Sequence, residues 1–105
     1  MLNRKAKETV EKLIESGYEE LYYVENRISN EQGCTSLWNI YADLEDATRW
    51  VRLCHSHDKI VFGVKGELLL PVVMNVGDLG INTEWSYVDR FGNVMDIEFL
   101  IRRVL

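Results

Sequence analysis

Cysteine, proline and long apolar runs are scarce in this chain. Its two cysteines, Cys34 and Cys54, make no disulfide framework, so we expect both to be free thiols. The longest apolar run, residues 68–74, contains the single proline and falls far short of the ~20 residues that span a bilayer. The first eight residues are rich in charge and lack the apolar segment of a secretory signal. Together these absences predict a cytoplasmic protein that makes no contact with a membrane.

Basic side chains are scarce in two blocks of the chain, and the net charge is −5. Residues 16–48 hold seven acidic residues against one basic residue, and residues 66–98 hold six against one. Residues 49–65 are basic, with four Lys or Arg and one Asp. A protein that binds nucleic acid presents a basic face to the phosphates. We therefore do not expect direct binding to nucleic acid, and the acidic blocks favour a larger protein with a basic surface as the partner.

The composition is otherwise that of an ordinary globular protein, with 47% apolar and 28% charged residues. Three Phe, five Tyr and three Trp are ample for a small core, so some aromatic side chains can face outward. At 105 residues, we expect a single α+β domain, spanning residues 1–105, with a hydrophobic core of its own.

Two segments have the apolar periodicity of amphipathic helices. The first helix is predicted at residues 4–16, with Asn3 as its N-cap and Gly17 as its stop. The second is predicted at residues 44–57, where Asp43 occupies the N-cap position and apolar residues recur every three or four positions. Both helices should pack their apolar faces on a sheet.

The remaining segments have the period-two alternation of strands. Strands are predicted at residues 18–28, 34–41, 60–64, 68–74 and 83–89, separated by turns at 29–33 and 65–67, a loop at 75–82 and a turn at 89–93. Residues 94–105 fit a strand or a helix, and the strand is favoured because it follows a hairpin turn. The prediction is thus a mostly antiparallel sheet with two helices packed on it.

Side chains capable of site chemistry crowd together in residues 54–58. On a helix each residue turns about 100°, so His55 and His57 point about 200° apart and cannot ligate one metal ion. Cys54 and His57 can share a face, but two ligands leave a zinc site short. Cys34 would be a third ligand only if the fold brought it close. We therefore predict no metal site, and keep Cys54, His57 and Cys34 as the alternative.

A cysteine enzyme is not predicted either. A thiolate nucleophile needs a positioned base and usually a helix N-terminus, whereas Cys54 lies toward the C-terminal end, where the helix dipole raises the pKa of a thiol. Cys34 follows a turn and has no neighbouring His. The sequence has no Walker loop, Rossmann glycine pattern or nucleophile elbow. We predict no catalytic residue and no cofactor.

Aromatic residues beside acids favour a protein-binding surface instead. The predicted contact residues are Glu19, Glu20, Tyr22, Glu25, Glu84, Trp85 and Tyr87. Aromatic side chains surrounded by charge are typical of interface hot spots. The alternative is that these aromatic side chains fill the core while the acids occupy the far face of each strand.

Our leading hypothesis is a non-enzymatic protein-binding module. In size and charge the chain resembles small inhibitors encoded by phages or mobile elements, including anti-CRISPR-type proteins, and this resemblance is one of class that rests on no motif. A second hypothesis is a metal- or small-ligand-binding protein that uses Cys54 and His57. A third is a homo-oligomeric accessory module, such as a homodimer, that pairs through an exposed edge strand.

Overall fold

Two helices and four strands make up the fold of the described part of the chain. The computed structural model describes residues 2–105, with the elements α1 (Arg4–Glu15), β1 (Tyr22–Asn30), β2 (Gly33–Tyr41), α2 (Leu44–Phe62), β3 (Leu79–Val88) and β4 (Val94–Arg103). The strands form one antiparallel sheet in the order β2-β1-β4-β3. The predicted α+β class, with two helices packed on an antiparallel sheet, is confirmed.

Helix α1 begins and ends close to the predicted residues. The Asn3 side chain accepts a hydrogen bond from the Ala6 backbone N–H at 2.8 Å, as an N-cap does. At the other end the Ser16 N–H bonds to the Lys12 carbonyl, and Gly17 adopts a positive φ of 95°. The prediction of a helix over residues 4–16 is therefore confirmed to within one residue.

Helix α2 is longer than predicted. Its start is the predicted one, with the Asp43 side chain accepting from the Asp46 N–H at 2.8 Å. Its end lies at Phe62 rather than at residue 57, because Gly63 supplies a left-handed C-cap with φ of 71°. The predicted strand at 60–64 is therefore wrong: its alternating pattern arises because the residues on either side of Gly63 belong to a helix and to a loop.

The segment between α2 and β3 also differs from the prediction. Residues 63–78, which we call the α2–β3 loop, contain no strand. The predicted strand at 68–74 and its hairpin turn at 65–67 are wrong. Met74 is buried, and Leu68 and Leu70 pack partly against the core, so the apolar run anchors a loop instead of forming a ladder.

The other strands agree better with the sequence pattern. The predicted hairpin of residues 18–28 and 34–41 is present as β1 and β2, with Asn30 opposite Gly33 at its tip. Its first strand begins at Tyr22 rather than at residue 18, and the predicted turn at 29–33 is shorter than expected because Ser29, Asn30 and Gly33 belong to the strands. Strand β3 begins at Leu79, so the predicted loop at 75–82 ends earlier than expected. The strand favoured for the C-terminal residues is confirmed as β4.

The main core lies between one face of the sheet and α2 with its following loop. Its buried residues are Tyr22, Val24, Ala47, Val51, Val64, Met74, Ile81, Ile97, Phe99 and Ile101. Side chains alternate along β1, so Tyr23 points to the opposite face. There α1 contacts β2 and buries Ala6 and Val10, while the far half of that face, with Ser36, Glu84 and Ser86, stays exposed.

The lengths and composition of the helices also bear on membranes. Neither helix within residues 2–105 combines the length and the apolar character needed to cross a bilayer.

Candidate functional site

The cluster at residues 54–58 lies in the middle of α2 and is divided between two sides of the helix. His55 and Asp58 face the sheet and are buried, whereas the His57 side chain is 66% exposed. Cys54 is half-buried on the flank between them. The structure therefore places the two histidines in different environments, as the helical period predicts. The Asp58 environment, however, was not anticipated.

Asp58 and Asn26 form a polar contact inside the core. The Asp58 side chain is fully buried, and its Oδ2 accepts a hydrogen bond from Nδ2 of Asn26 on β1 at 3.1 Å. The other oxygen, Oδ1, lies 3.2 Å from Nδ1 of His57. Asn26 Oδ1 is buried and has no hydrogen-bond partner among the described residues. A buried carboxylate held by two side chains ties α2 to the centre of β1.

Cys54 is unsuited to nucleophilic chemistry at neutral pH. Burial, and the negative charge of Asp58 one turn away, raise the pKa of its thiol to about 11. Because the thiolate is the reactive form, almost all of Cys54 stays protonated at pH 7. The cause is the core environment and not the helix end, since α2 continues for two turns beyond this residue.

The structure does not bring the three alternative metal ligands together. Cys34 is exposed near the start of β2, next to the hairpin tip, whereas Cys54 and His57 lie on α2. Within residues 2–105, no group of three His, Cys, Asp or Glu side chains is arranged to hold a metal ion.

The His55 ring packs against two aromatic rings. Its ring stacks on Trp85 with centroids 5.2 Å apart and meets the edge of Phe99 at 6.2 Å. Burial and the nearby Lys59 lower its pKa, opposed by a hydrogen bond to the Gly66 backbone and the charge of Asp58. Its Nε2 is buried without a hydrogen-bond partner among the described residues. The neutral imidazole is therefore the form that the fold favours.

This environment predicts a pH dependence of stability. An unfolded His titrates near pH 6.5, so the unfolded chain binds a proton more readily than folded His55 does. The free energy of unfolding should therefore fall as the pH is lowered from about 7.5 through 6.5 toward the lower folded pKa. Urea unfolding at a series of pH values measures this slope, and His55→Gln should flatten it. An unchanged slope in that variant would contradict the assignment.

The predicted aromatic contact residues face inward. Tyr22 is buried in the main core, and its hydroxyl donates to Glu20. Burial and this carboxylate raise the pKa of Tyr22 to about 12. Trp85 packs against His55 and Phe99. Tyr87 contacts the core through Phe62 and donates its hydroxyl hydrogen to the Met95 sulfur. In this fold the Tyr22 ring fills the interior, while the Trp85 and Tyr87 rings are partly buried and pack against it.

Glu25 is likewise buried, on the α1 side of the sheet. Its carboxylate accepts from the Tyr23 hydroxyl and from the Arg27 guanidinium, at 2.8 Å for the latter. Burial and this carboxylate raise the pKa of Tyr23. Glu25 is therefore engaged within the fold, whereas Glu19 and Glu84 have exposed side chains. The acidic part of the predicted surface is accessible only in part.

Four strongly exposed aliphatic residues lie elsewhere, in the α2–β3 loop. Leu69, Val72, Val73 and Val76 follow one another over eight residues and are 62–88% exposed. We call these four residues the aliphatic strip. The sequence analysis assigned the first three of these residues to the strand predicted at 68–74 and the fourth to the loop predicted at 75–82. Single exposed aliphatic residues are common, but a succession of four in one loop is typical of an interaction surface.

Three acidic side chains lie on the face of the sheet opposite to α2 and the α2–β3 loop. Glu84 on β3 is directly opposite Glu98 on β4, and Asp96 follows on the same face. Glu98 is also opposite Arg27 on β1, which the buried Glu25 already engages. Directly opposed like charges destabilise a sheet by a few tenths of a kcal/mol to ~1 kcal/mol, so this face is suited to a cationic neighbour.

Comparison of the chain with protein-family models, with curated proteins and with solved structures gives no match.

Proposed function

We propose that the chain is a non-enzymatic protein-binding module that docks on a larger protein through the aliphatic strip. The observation that carries the proposal is the exposure of Leu69, Val72, Val73 and Val76 within one loop. Burying one such side chain in a complex is worth about 1.5–3 kcal/mol, so the strip can supply much of the affinity of an interface.

The loop that carries the strip is held on the core at several points. Val64 and Met74 are buried, one before and one after the first strip residue. Gly66 lies against the Trp85 ring, and Pro71 lies over Gly80 of β3. A surface that is already ordered loses little conformational entropy when a partner binds. The anchored loop therefore presents the strip as a preformed contact surface.

The proposed partner has an apolar docking surface with a basic rim. Glu67 and Asp78 bracket the strip along the chain, and both are exposed. The net charge of −5 adds a long-range attraction for a basic protein. An inhibitor of the kind encoded by phages or mobile elements would act in this way, by occupying a basic functional surface of its target.

Replacing two strip residues should weaken partner binding without unfolding the chain. Val72→Ser/Val73→Ser removes two exposed aliphatic side chains, and we expect a loss of affinity of about 30-fold or more. The matched control is Leu53→Ser/Ile60→Ser, which changes two residues of α2 that are 65% and 85% exposed. Wild type and both variants serve as baits in one cell lysate, at low and high salt, with quantitative mass spectrometry of the retained proteins.

The comparison between baits decides the outcome. A specific partner is retained by the wild type and the α2 variant, is lost from the strip variant, and binds more weakly at high salt. Its affinity for the three baits is then measured by calorimetric titration. Retention of the same proteins by all three baits, or by none of them, would refute docking through the strip.

A further inference from the structure

Strand β2 forms one edge of the sheet and carries no charge. From Gln32 to Ala42 the chain contains neither acidic nor basic side chains, although the whole chain has a net charge of −5. All of Gly33–Leu37 is exposed, as is Asn39. Exposed edge strands normally carry charges, proline or a bulge that prevents another strand from pairing with them.

β2 has none of these protective features. Its register with β1 is continuous from Tyr22 opposite Tyr41 to Asn30 opposite Gly33, and it contains no proline. The other edge strand, β3, has a register irregularity between Leu79 and Asn82 and carries Glu84. The two edges of the sheet therefore differ, and only β2 is a regular, neutral template for strand addition.

The outward hydrogen-bonding groups of β2 can be assigned from two contacts. The Ile40 N–H donates a hydrogen bond to Oδ1 of Asn39 at 2.9 Å, so it does not point at β1. Leu21, the residue before β1, accepts a hydrogen bond from the Val104 N–H, which lies just after β4. The backbone groups of Leu21 therefore point toward β4, and those of the odd-numbered β1 residues do the same. Backbone direction alternates along a strand. The N–H and C=O groups of Cys34, Ser36 and Trp38 therefore face the open edge.

We propose that two copies of the chain pair antiparallel through β2, with the two-fold axis at Ser36, to form a continuous eight-stranded sheet. This register opposes Ser36 to itself and Cys34 to Trp38 of the second copy. It uses all three outward positions of each strand, giving six backbone hydrogen bonds, and avoids the Ile40 N–H that Asn39 already occupies.

A second copy suits this edge because of charge. A two-fold axis opposes each strand to itself, so any charged residue near its centre would meet its own kind. Two chains of net charge −5 repel one another generally, and β2 is the segment where they can approach without opposing carboxylates. Pairing would also cover the exposed Leu37 side chain with Thr35 of the second copy. This proposal is independent of the aliphatic strip.

Proline at residue 36 tests the pairing. Ser36→Pro removes an outward N–H that makes no bond to β1, so the monomer should keep its fold. Sedimentation velocity of the wild type should show twice the chain mass of 12.3 kDa. Loss of two of the six hydrogen bonds should raise the dimer dissociation constant about 30-fold in Ser36→Pro. Ser36→Lys should behave likewise, whereas Ser36→Thr should remain dimeric.

Cross-linking tests the register. In a Cys34→Ser background, Ser36→Cys should form an intermolecular disulfide on mild oxidation, because opposed residues of a hydrogen-bonded pair lie about 5.5 Å apart. Leu37→Cys should not, since the two copies of that residue would be two positions out of line. A wild type that stays monomeric at millimolar concentration, a dimer that survives both Ser36→Pro and Ser36→Lys, or cross-linking at residue 37 instead of 36 would overturn the proposal.

Discussion

Asn26→Leu should lower the free energy of unfolding by about 3 kcal/mol. The substitution keeps the approximate volume of the side chain but removes the donor that bonds Asp58 at 3.1 Å. Asp58 is fully buried, so its oxygen loses a hydrogen bond that water cannot replace. Hydrogen bonds to charged groups contribute about 1.5–3 kcal/mol, and a buried polar group left without its partner costs about 1–3 kcal/mol, more when it is charged.

A double-mutant cycle separates this contact from packing. Asp58→Leu should also destabilise, because both ends of the Asn26 amide would then lack partners. The double variant Asn26→Leu/Asp58→Leu should be more stable than either single variant, since apolar groups then face each other. Urea unfolding at pH 7.5, followed by circular dichroism, measures all four proteins.

The control for this cycle is Asn75→Leu, which changes an exposed asparagine in the α2–β3 loop and should alter stability by less than ~0.5 kcal/mol. A loss below ~1 kcal/mol in Asn26→Leu, or a double variant no more stable than the singles, would show that the contact contributes little.

The two helices could be predicted because local physics determines them. Asn3 and Asp43 are the N-caps of α1 and α2, a position that Asn and Asp favour, and the apolar stripe of each helix follows the helical period of about 3.6 residues. The end of α2 was missed because Gly63 was not recognised as a left-handed cap. Ile60 and Phe62 were therefore assigned to a strand, whereas in fact Phe62 continues the inward stripe of α2 and Ile60 is exposed.

The candidate surfaces were harder to predict, since they depend on which segments the fold covers. Asn26 and Asp58 are 32 residues apart, and nothing local to either residue indicates the other. The position of Asp58, four residues after Cys54 and seven after Val51, was a signal, because it extends the inward stripe of α2. No comparable signal exists for the aliphatic strip. Apolar sequence predicts burial, and only the fold shows that a loop leaves part of it outside.

Alanine at Gly66 should destabilise the protein by about 3 kcal/mol, through the docking of the α2–β3 loop. Gly66 has a φ of 121°, and a methyl group there would lie 2.6 Å from Nε1 of Trp85. The unfavourable backbone conformation costs about 1–3 kcal/mol, and forcing a side chain into a packed site costs a similar amount. Trp85 must then shift away from His55 and Phe99, so the effect reaches the core.

Gly63→Ala is the matched control for Gly66→Ala. Gly63 also has a positive φ, of 71°, but a methyl group there meets nothing within 4 Å among the described residues. Its substitution should therefore cost only about 1 kcal/mol, the penalty of a left-handed cap without glycine. Urea unfolding gives the two free energies, and tryptophan fluorescence of the folded state should change in Gly66→Ala and not in Gly63→Ala. If both variants lose the same stability with unchanged fluorescence, the contact between the loop and Trp85 does not hold the aliphatic strip in place.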